Sequence, residues 1–238
     1  MSNNRQNNNK FEILYEDQEI ILINKPCGMA VQGGANVARS VDSELPLQTG
    51  YKIHLVHRLD KDTAGILIVA KNPQSASKWI KLIGTDQVTK EYTAVCFGLP
   101  SAGGKKDGKK IRKGVLKDKI SVDGRLLDAV THFEIIKNTD VQLPASENST
   151  EIQKINLSVA HLTLETGRKH QIRIQMAKAG CPLAGDDLHG DFKKNKLVRK
   201  LGIRKLCLCA SRLTIPVNGE LKAFEIQLPA HMKPFCED

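Results

Sequence analysis

The chain has 238 residues, 40% hydrophobic and 26% charged, an ordinary globular balance with enough apolar material for a substantial core. Its formal net charge of +10 favours a polyanionic partner, because cationic side chains release counterions when they meet phosphate. No stretch approaches the roughly 18 apolar residues that cross a bilayer, and the basic residues line no single amphipathic helix, so a membrane role is disfavoured.

The Asn-rich segment 1–10 lacks the apolar centre of a secretory leader and reads as a disordered tail. The six cysteines include no C-x-x-C pair and several lie in apolar runs, which points to a reducing cytoplasm. Cys207 and Cys209 are spaced poorly for a metal site, and no metal is expected.

In chain order, 11–15 and 20–24 read as two strands of a hairpin turned at Glu16-Asp17-Gln18. Lys25-Pro26-Cys27-Gly28-Met29 then breaks the strand. Residues 32–50 show little periodicity and read as a loop. Ile66-Leu67-Ile68-Val69-Ala70 is a buried strand. Asn72-Pro73 caps a helix over 74–83, whose Ala76, Trp79, Ile80 and Ile83 recur at helical spacing.

A strand follows at 90–97. Residues 101–119 carry eight Lys and Arg residues with almost no apolar partner, and read as an exposed basic loop. A strand at 129–136 precedes a polar loop at 138–153, and another strand runs over 155–166. Gly167 opens a helix over 168–179, stopped by Gly180-Cys181-Pro182. Two strands, 204–215 and 222–228, close the chain. Strands outnumber helices, so the expected class is α+β, with a bilobed, mixed, largely antiparallel sheet and few flanking helices. Residues 11–238 would form one domain.

The least ordinary string is His57-Arg58-Leu59-Asp60-Lys61-Asp62-Thr63-Ala64-Gly65. Cations around Asp60 favour its ionised form. Such a carboxylate can serve as nucleophile, base or stabiliser of a sugar cation, or sit in a solvated loop with ordinary ion pairs.

The string resembles the H-R-L-D-x-x-T-S-G motif of RluA-type pseudouridine synthases. Tyr15-Glu16-Asp17 through Asn24-Lys25-Pro26-Cys27-Gly28 is similar to that family's first segment. Lys90-Glu91-Tyr92 is similar to its K-x-Y motif. Thr166-Gly167-Arg168-Lys169-His170-Gln171-Ile172-Arg173 is similar to T-G-R-x-H-Q-I-R, with Gly185-Asp186 at the G-D step and 206–216 like the closing strand. The likeness spans Tyr15 to Pro216, with all segments in the family's order. Ala64 replaces a usual Ser, His189 stands where a Tyr precedes Gly, and Cys209 replaces a common His. The basic loop has no counterpart in the family pattern, and the small N-terminal RNA-binding domain of some relatives is not expected here.

The resemblance implies isomerisation of uridine to pseudouridine in rRNA or tRNA, with base flipping and no cofactor. Asp60 would be the catalytic carboxylate. Arg173 would pair with it, and Tyr92 would stack on the base and assist removal of the C5 proton. Arg58 would fill the vacated stack, while Lys25, Arg168 and Lys169 would contact phosphate and Leu208 would pack under the base. Asp62 would bond backbone amides, and His57 and His170 would be structural hydrogen-bonders. A monomer is expected. Two other readings stay open: an RNA-binding module without catalysis, and a hydrolase pairing Asp60 with Asp62 or Glu165.

Overall fold

The computed structural model describes residues 10–35, 37–102, 108–143 and 153–236. In order the elements are β1 (Glu12–Glu16), β2 (Ile20–Lys25), α1 (Val41–Thr49), β3 (His54–Leu55), β4 (Ala64–Ala70), α2 (Pro73–Leu82), β5 (Thr89–Phe97), β6 (Lys113–Val122), β7 (Arg125–Gln142), β8 (Lys154–Leu164), α3 (Gln171–Lys178), α4 (Phe192–Val198), β9 (Leu208–Val217), β10 (Glu220–Glu225) and α5 (Lys233–Cys236). The strands form one 10-stranded sheet in the order β1-β2-β4-β9-β5-β8-β7-β6, with β3 beside β4 and β10 beside β9. Every pairing is antiparallel except β4 with β9. The class is the expected α+β. No helix among the described residues is long and apolar enough to cross a membrane.

The apolar run of β4 is buried at every position, because both sheet faces are covered there. Leu67 and Val69 pack with Val41 and Leu45 of α1. Ile66 and Ile68 pack with Ala76 and Trp79 of α2 on the other face. The start of α2 follows the sequence rule: Asn72 Oδ1 accepts the Ser75 amide at 2.8 Å, and Pro73 opens the first turn.

Three expectations are corrected. Residues 41–49, expected as loop, form α1, which buries only Val41 and Leu45 and so leaves no periodic signature. Its start is tied instead by Ser43 Oγ, which accepts the Ser40 amide at 3.1 Å. The basic loop ends at Lys113, where β6 begins; Leu116 and Ile120 are buried while Lys117 and Lys119 face solvent on the alternate side. Lys105 and Lys106 fall outside the described residues. Finally, β7 runs through Gln142 and β8 resumes at Lys154, so the polar loop is shorter than 138–153, and 144–152 lie outside the described residues. The sequence reading also missed α4.

Two features bring the halves of the sheet together. β4 meets β9 in parallel only at Ala64↔Cys209 and Gly65↔Ala210. Gly65 has φ +122°, and a Cβ there would lie 2.4 Å from the Ala210 carbonyl oxygen, so no side chain fits. Beside this contact β9 bulges: Glu91 pairs with Arg212 and Thr93 with Cys209, leaving Ala210 and Ser211 opposite the single residue Tyr92.

Lys25 ends β2 fully buried, its ammonium donating to the carbonyls of Pro26, Met29 and Lys61 at 3.0, 2.8 and 3.1 Å. Burial pushes its pKa down to about 8. The expected phosphate contact is therefore corrected, since the head group is enclosed and its donors are spent on backbone. Lys25 instead ties the 26–29 turn to the loop that carries Asp60, helped by Gly28, whose amide donates to Lys61 O at 2.9 Å.

Two outcomes follow. Gly65→Ala should lower unfolding free energy by at least about 2 kcal/mol in chemical denaturation, since strained backbone and a backbone clash combine. Lys25→Met should cost about 2–4 kcal/mol, because buried carbonyls lose their donor, and should leave the salt dependence of RNA binding unchanged. A reduced salt slope would restore Lys25 as a phosphate contact.

Candidate active site

The segment between β3 and β4 carries Asp60. The edge of β4 away from β2 pairs with β9 at its start and β3 at its end. Between them His57 Nε2 accepts the Ile68 amide at 2.9 Å. Burial lowers the His57 pKa to about 4, which keeps the ring a neutral acceptor. Asp60 O accepts the Thr63 amide at 3.1 Å, turning the chain sharply into β4. Asp62, expected to bond backbone amides, has an exposed carboxylate that accepts none among the described residues.

Helix α3 is fixed by two glutamines one turn apart. Gln171 Nε2 donates to Val130 O and Thr131 Oγ1 at 3.1 and 3.0 Å, and its Oε1 accepts Thr166 Oγ1 at 2.8 Å. Gln175 Nε2 donates to Leu116 O and Ala129 O at 3.1 and 3.0 Å. Arg173 lies two residues from each, about 200° round the helix, and so points away from the β6–β7 side. The buried glutamines thus aim the arginine.

Arg173 is 7% exposed and grips Asp186 with two bonds of 2.8 Å, from Nε to Oδ2 and from Nη2 to Oδ1. Burial alone would raise the Asp186 pKa, but the guanidinium and the amides of His189 and Leu188 hold it below the ordinary value. Asp186 Oδ1 accepts those amides at 2.9 and 3.0 Å. Asn195 on α4 braces the turn, donating to Asp186 O at 2.8 Å and accepting the Gly185 amide at 2.9 Å. A Cβ on Gly190 would stand 2.2 Å from Asp186 O, so the turn also requires that glycine.

Asp60 faces this assembly. Its Oδ2 is 3.6 Å from Arg173 Nη1 and its Oδ1 is 3.7 Å from His170 Nε2. Both distances are ion-pair range, longer than a hydrogen bond. The expected Asp60–Arg173 ion pair is present at 3.6 Å, while the hydrogen-bonded partner of Arg173 is Asp186, which was not expected. Gly185-Asp186 and the following H-G were the sequence signal for this second carboxylate, although no role was drawn from them. Glu165 is exposed and bonded to His132, away from any pairing with Asp60 as a second acid.

A cavity of about 70 Å³ is lined by Asp60, Arg173 and His170 with Arg58, Tyr92, Leu164, Arg168 and Leu208. Burial and the Asp60 charge push the Tyr92 phenol well above its ordinary pKa, so it stays protonated at neutral pH. Leu208 is buried against the sheet. Arg58 is exposed at the rim, while Arg168 also donates to Asp128 O at 3.1 Å. Lys169 is exposed and does not line the cavity. On its other side Asp60 opens into a cleft of about 450 Å³ with Lys61, Asp187, Arg204 and Lys205 on its walls. Lys61 and Lys205 also line an adjoining groove of about 810 Å³ that reaches Arg39. Sequence reading placed Lys61 beside Asp60 only as a cation that keeps it ionised, and named no role for Arg204 or Lys205. Among the described residues no group of three or more His, Cys, Asp or Glu is arranged to hold a metal ion.

Known proteins resemble this chain over most of its length. Residues 19–178 match the RNA pseudouridylate synthase family. The chain is 31% identical to ribosomal large subunit pseudouridine synthase D of Zymomonas mobilis, over 93% of this chain and 70% of that protein. It is 32% identical to the synthase D of Haemophilus ducreyi, over 94% of this chain and 69% of that protein. The solved structure of Human RNA Pseudouridylate Synthase Domain Containing 4 shares the fold, with a TM-score of 0.66, 24% identity and coverage of 93% of this chain and 91% of that one. A sheet of this order with Asp60 at its seam, and relatives of this similarity over nearly the whole chain, lead to one assignment: the protein belongs to the RNA pseudouridylate synthase family, among its RluA-type isomerases.

Proposed function

We propose that the chain converts uridine to pseudouridine in large-subunit ribosomal RNA, with Asp60 as the catalytic carboxylate. The observation that carries this reading is the position of Asp60. It lies at the meeting point of a small cavity with an aromatic and an aliphatic wall and a wider cationic cleft, between Arg173 and His170. The relatives named above act, by their names, on the large ribosomal subunit.

The reaction moves no atoms in or out of the nucleotide. The bond from C1′ to N1 breaks, the uracil turns, C5 bonds to C1′, and the C5 proton is lost while N1 gains one. Asp60, kept near a buried cation, acts at the sugar as nucleophile, base or stabiliser. Tyr92 and Leu208 would sandwich the base. With its pKa raised, Tyr92 meets the base as a phenol, and it relays the C5 proton rather than abstracting it as a phenolate. The target nucleotide is flipped from its stack to reach the cavity, at a cost of a few kcal/mol, and Arg58 on the rim would fill the gap.

RNA flanking the target would be held on both sides of Asp60. Arg168 lies on the cavity side with Lys169 beside it in sequence, and Lys61, Arg204 and Lys205 line the cleft side. None of the three cleft residues has a carboxylate partner among the described residues, which leaves their charge for phosphate. The chain would act as a monomer in the cytoplasm, where its six free thiols stay reduced.

With large-subunit RNA tritiated at uridine C5, wild type should release tritium to water without free uracil. Asp60→Asn should cut release by at least about 10³-fold and bind RNA as well as wild type. Turnover retained by that variant removes Asp60 from the chemistry, and free uracil would make the enzyme a hydrolase. Replacing Lys61 and Lys205 together by Gln should weaken RNA binding and reduce the slope of log K against log salt by about two. An unchanged slope takes RNA out of the cleft.

A further inference from the structure

His170 precedes α3 in the left-handed region at φ +55°, an uncommon backbone state for a residue with a side chain. Its ring touches two groups at once. Nε2 faces Asp60 Oδ1 at 3.7 Å, and Nδ1 is 2.8 Å from Nε2 of His189. The two rings meet edge to face, centroids 5.0 Å apart at 72°. His189 itself is anchored by its backbone amide on Asp186 Oδ1, the oxygen that also holds Arg173. Asp60, His170, His189, Asp186 and Arg173 therefore form a closed ring of contacts.

A bond between two neutral imidazoles contains one proton, and its direction sets the tautomer of both rings. If His170 donated from Nδ1, its Nε2 would turn a bare lone pair toward the Asp60 carboxylate, and two electron-rich groups would face each other. If His189 donates from Nε2, His170 carries its proton on Nε2 and presents an N–H to that carboxylate. The Asp60 charge at 3.7 Å favours the second arrangement, and the 2.8 Å bond from His189 is what holds His170 in it. Besides Asp60, the charged groups near the pair are Arg173 and Lys169 from the α3 side and Asp186 from the turn. Burial, with Arg173 adding to it, lowers both imidazole pKa values and keeps the pair neutral at neutral pH.

We propose that His189 is a positioning residue for the isomerisation: its Nε2–H fixes His170 as the Nε2–H tautomer, which steers the Asp60 carboxylate toward the sugar. The inference rests on Asp60 being the catalytic carboxylate. A donor is all that the position requires, so a phenol should serve in place of the imidazole, whereas a phenyl ring should not.

Nitrogen-15 NMR of the imidazoles tests this without RNA. Wild-type His170 should be protonated at Nε2, and His189→Phe should show a mixture of tautomers. In steady-state tritium release, His189→Phe should lose about 10- to 100-fold in kcat, the usual effect of losing a partner that orients a reacting group. KM should be unchanged, and His189→Tyr should recover most of the rate. A wild-type His170 protonated at Nδ1, or wild-type kcat in His189→Phe, overturns the proposal. Wild type releasing no tritium would instead overturn the isomerase reading, and the tautomer would still decide the direction of the histidine bond.

Discussion

The site depends on one buried ion pair. A guanidinium stays charged at any pH a protein survives, so Arg173, nearly enclosed beneath Asp60, must have an anion beside it. Asp186 supplies that anion at two-point contact and is itself only 1% exposed. Enclosing two charges is costly unless geometry and further hydrogen bonds are good, and here the further bonds come from the 188–189 amides. Satisfying Arg173 with Asp186 has a chemical effect: Asp60 is left close to a cation without being locked to it. A carboxylate bonded two ways to arginine has its lone pairs occupied, while one at 3.6 Å keeps them available and still feels the positive charge.

Much of this was legible in the residues, and the gaps have physical causes. The β4 run and the Asn72-Pro73 helix start were readable because burial on both faces and a capped first turn leave dense local signals. Helix α1 was not, since two buried side chains and a serine pair carry too little periodicity to separate from a loop. The start of β6 was hidden by lysines, which on an alternating strand mark only its wet face. The part of the site that depends on local motif, Asp60 and the Arg168–Arg173 segment, could be named from sequence. The part made by distant segments could not: Asn195, Arg204 and Lys205 join the site only through the fold.

Lys25 shows why residue type alone misleads about charge. Read along the chain it is one more cation toward +10. In the fold it is an internal fastener with three carbonyl partners, and Arg173 is likewise internal. The field that a polyanion meets is set by cations that remain exposed, and Lys61, Arg204 and Lys205 on the cleft walls are among them.

The narrow joint between β4 and β9 has a mechanical consequence. Along the sheet path every other neighbouring pair is registered over at least four residues, whereas this one is registered over two. The joint is therefore the shortest ladder along the sheet path, and the groups of the candidate site straddle it. Asp60 hangs from the β4 side, whereas Tyr92 and Arg173 belong to the β5–β9 side. Backbone pairing there is brief, so the spacing between carboxylate, phenol and guanidinium is left to side chains packed across the joint, Leu67 and Val69 with Tyr92 and Leu208.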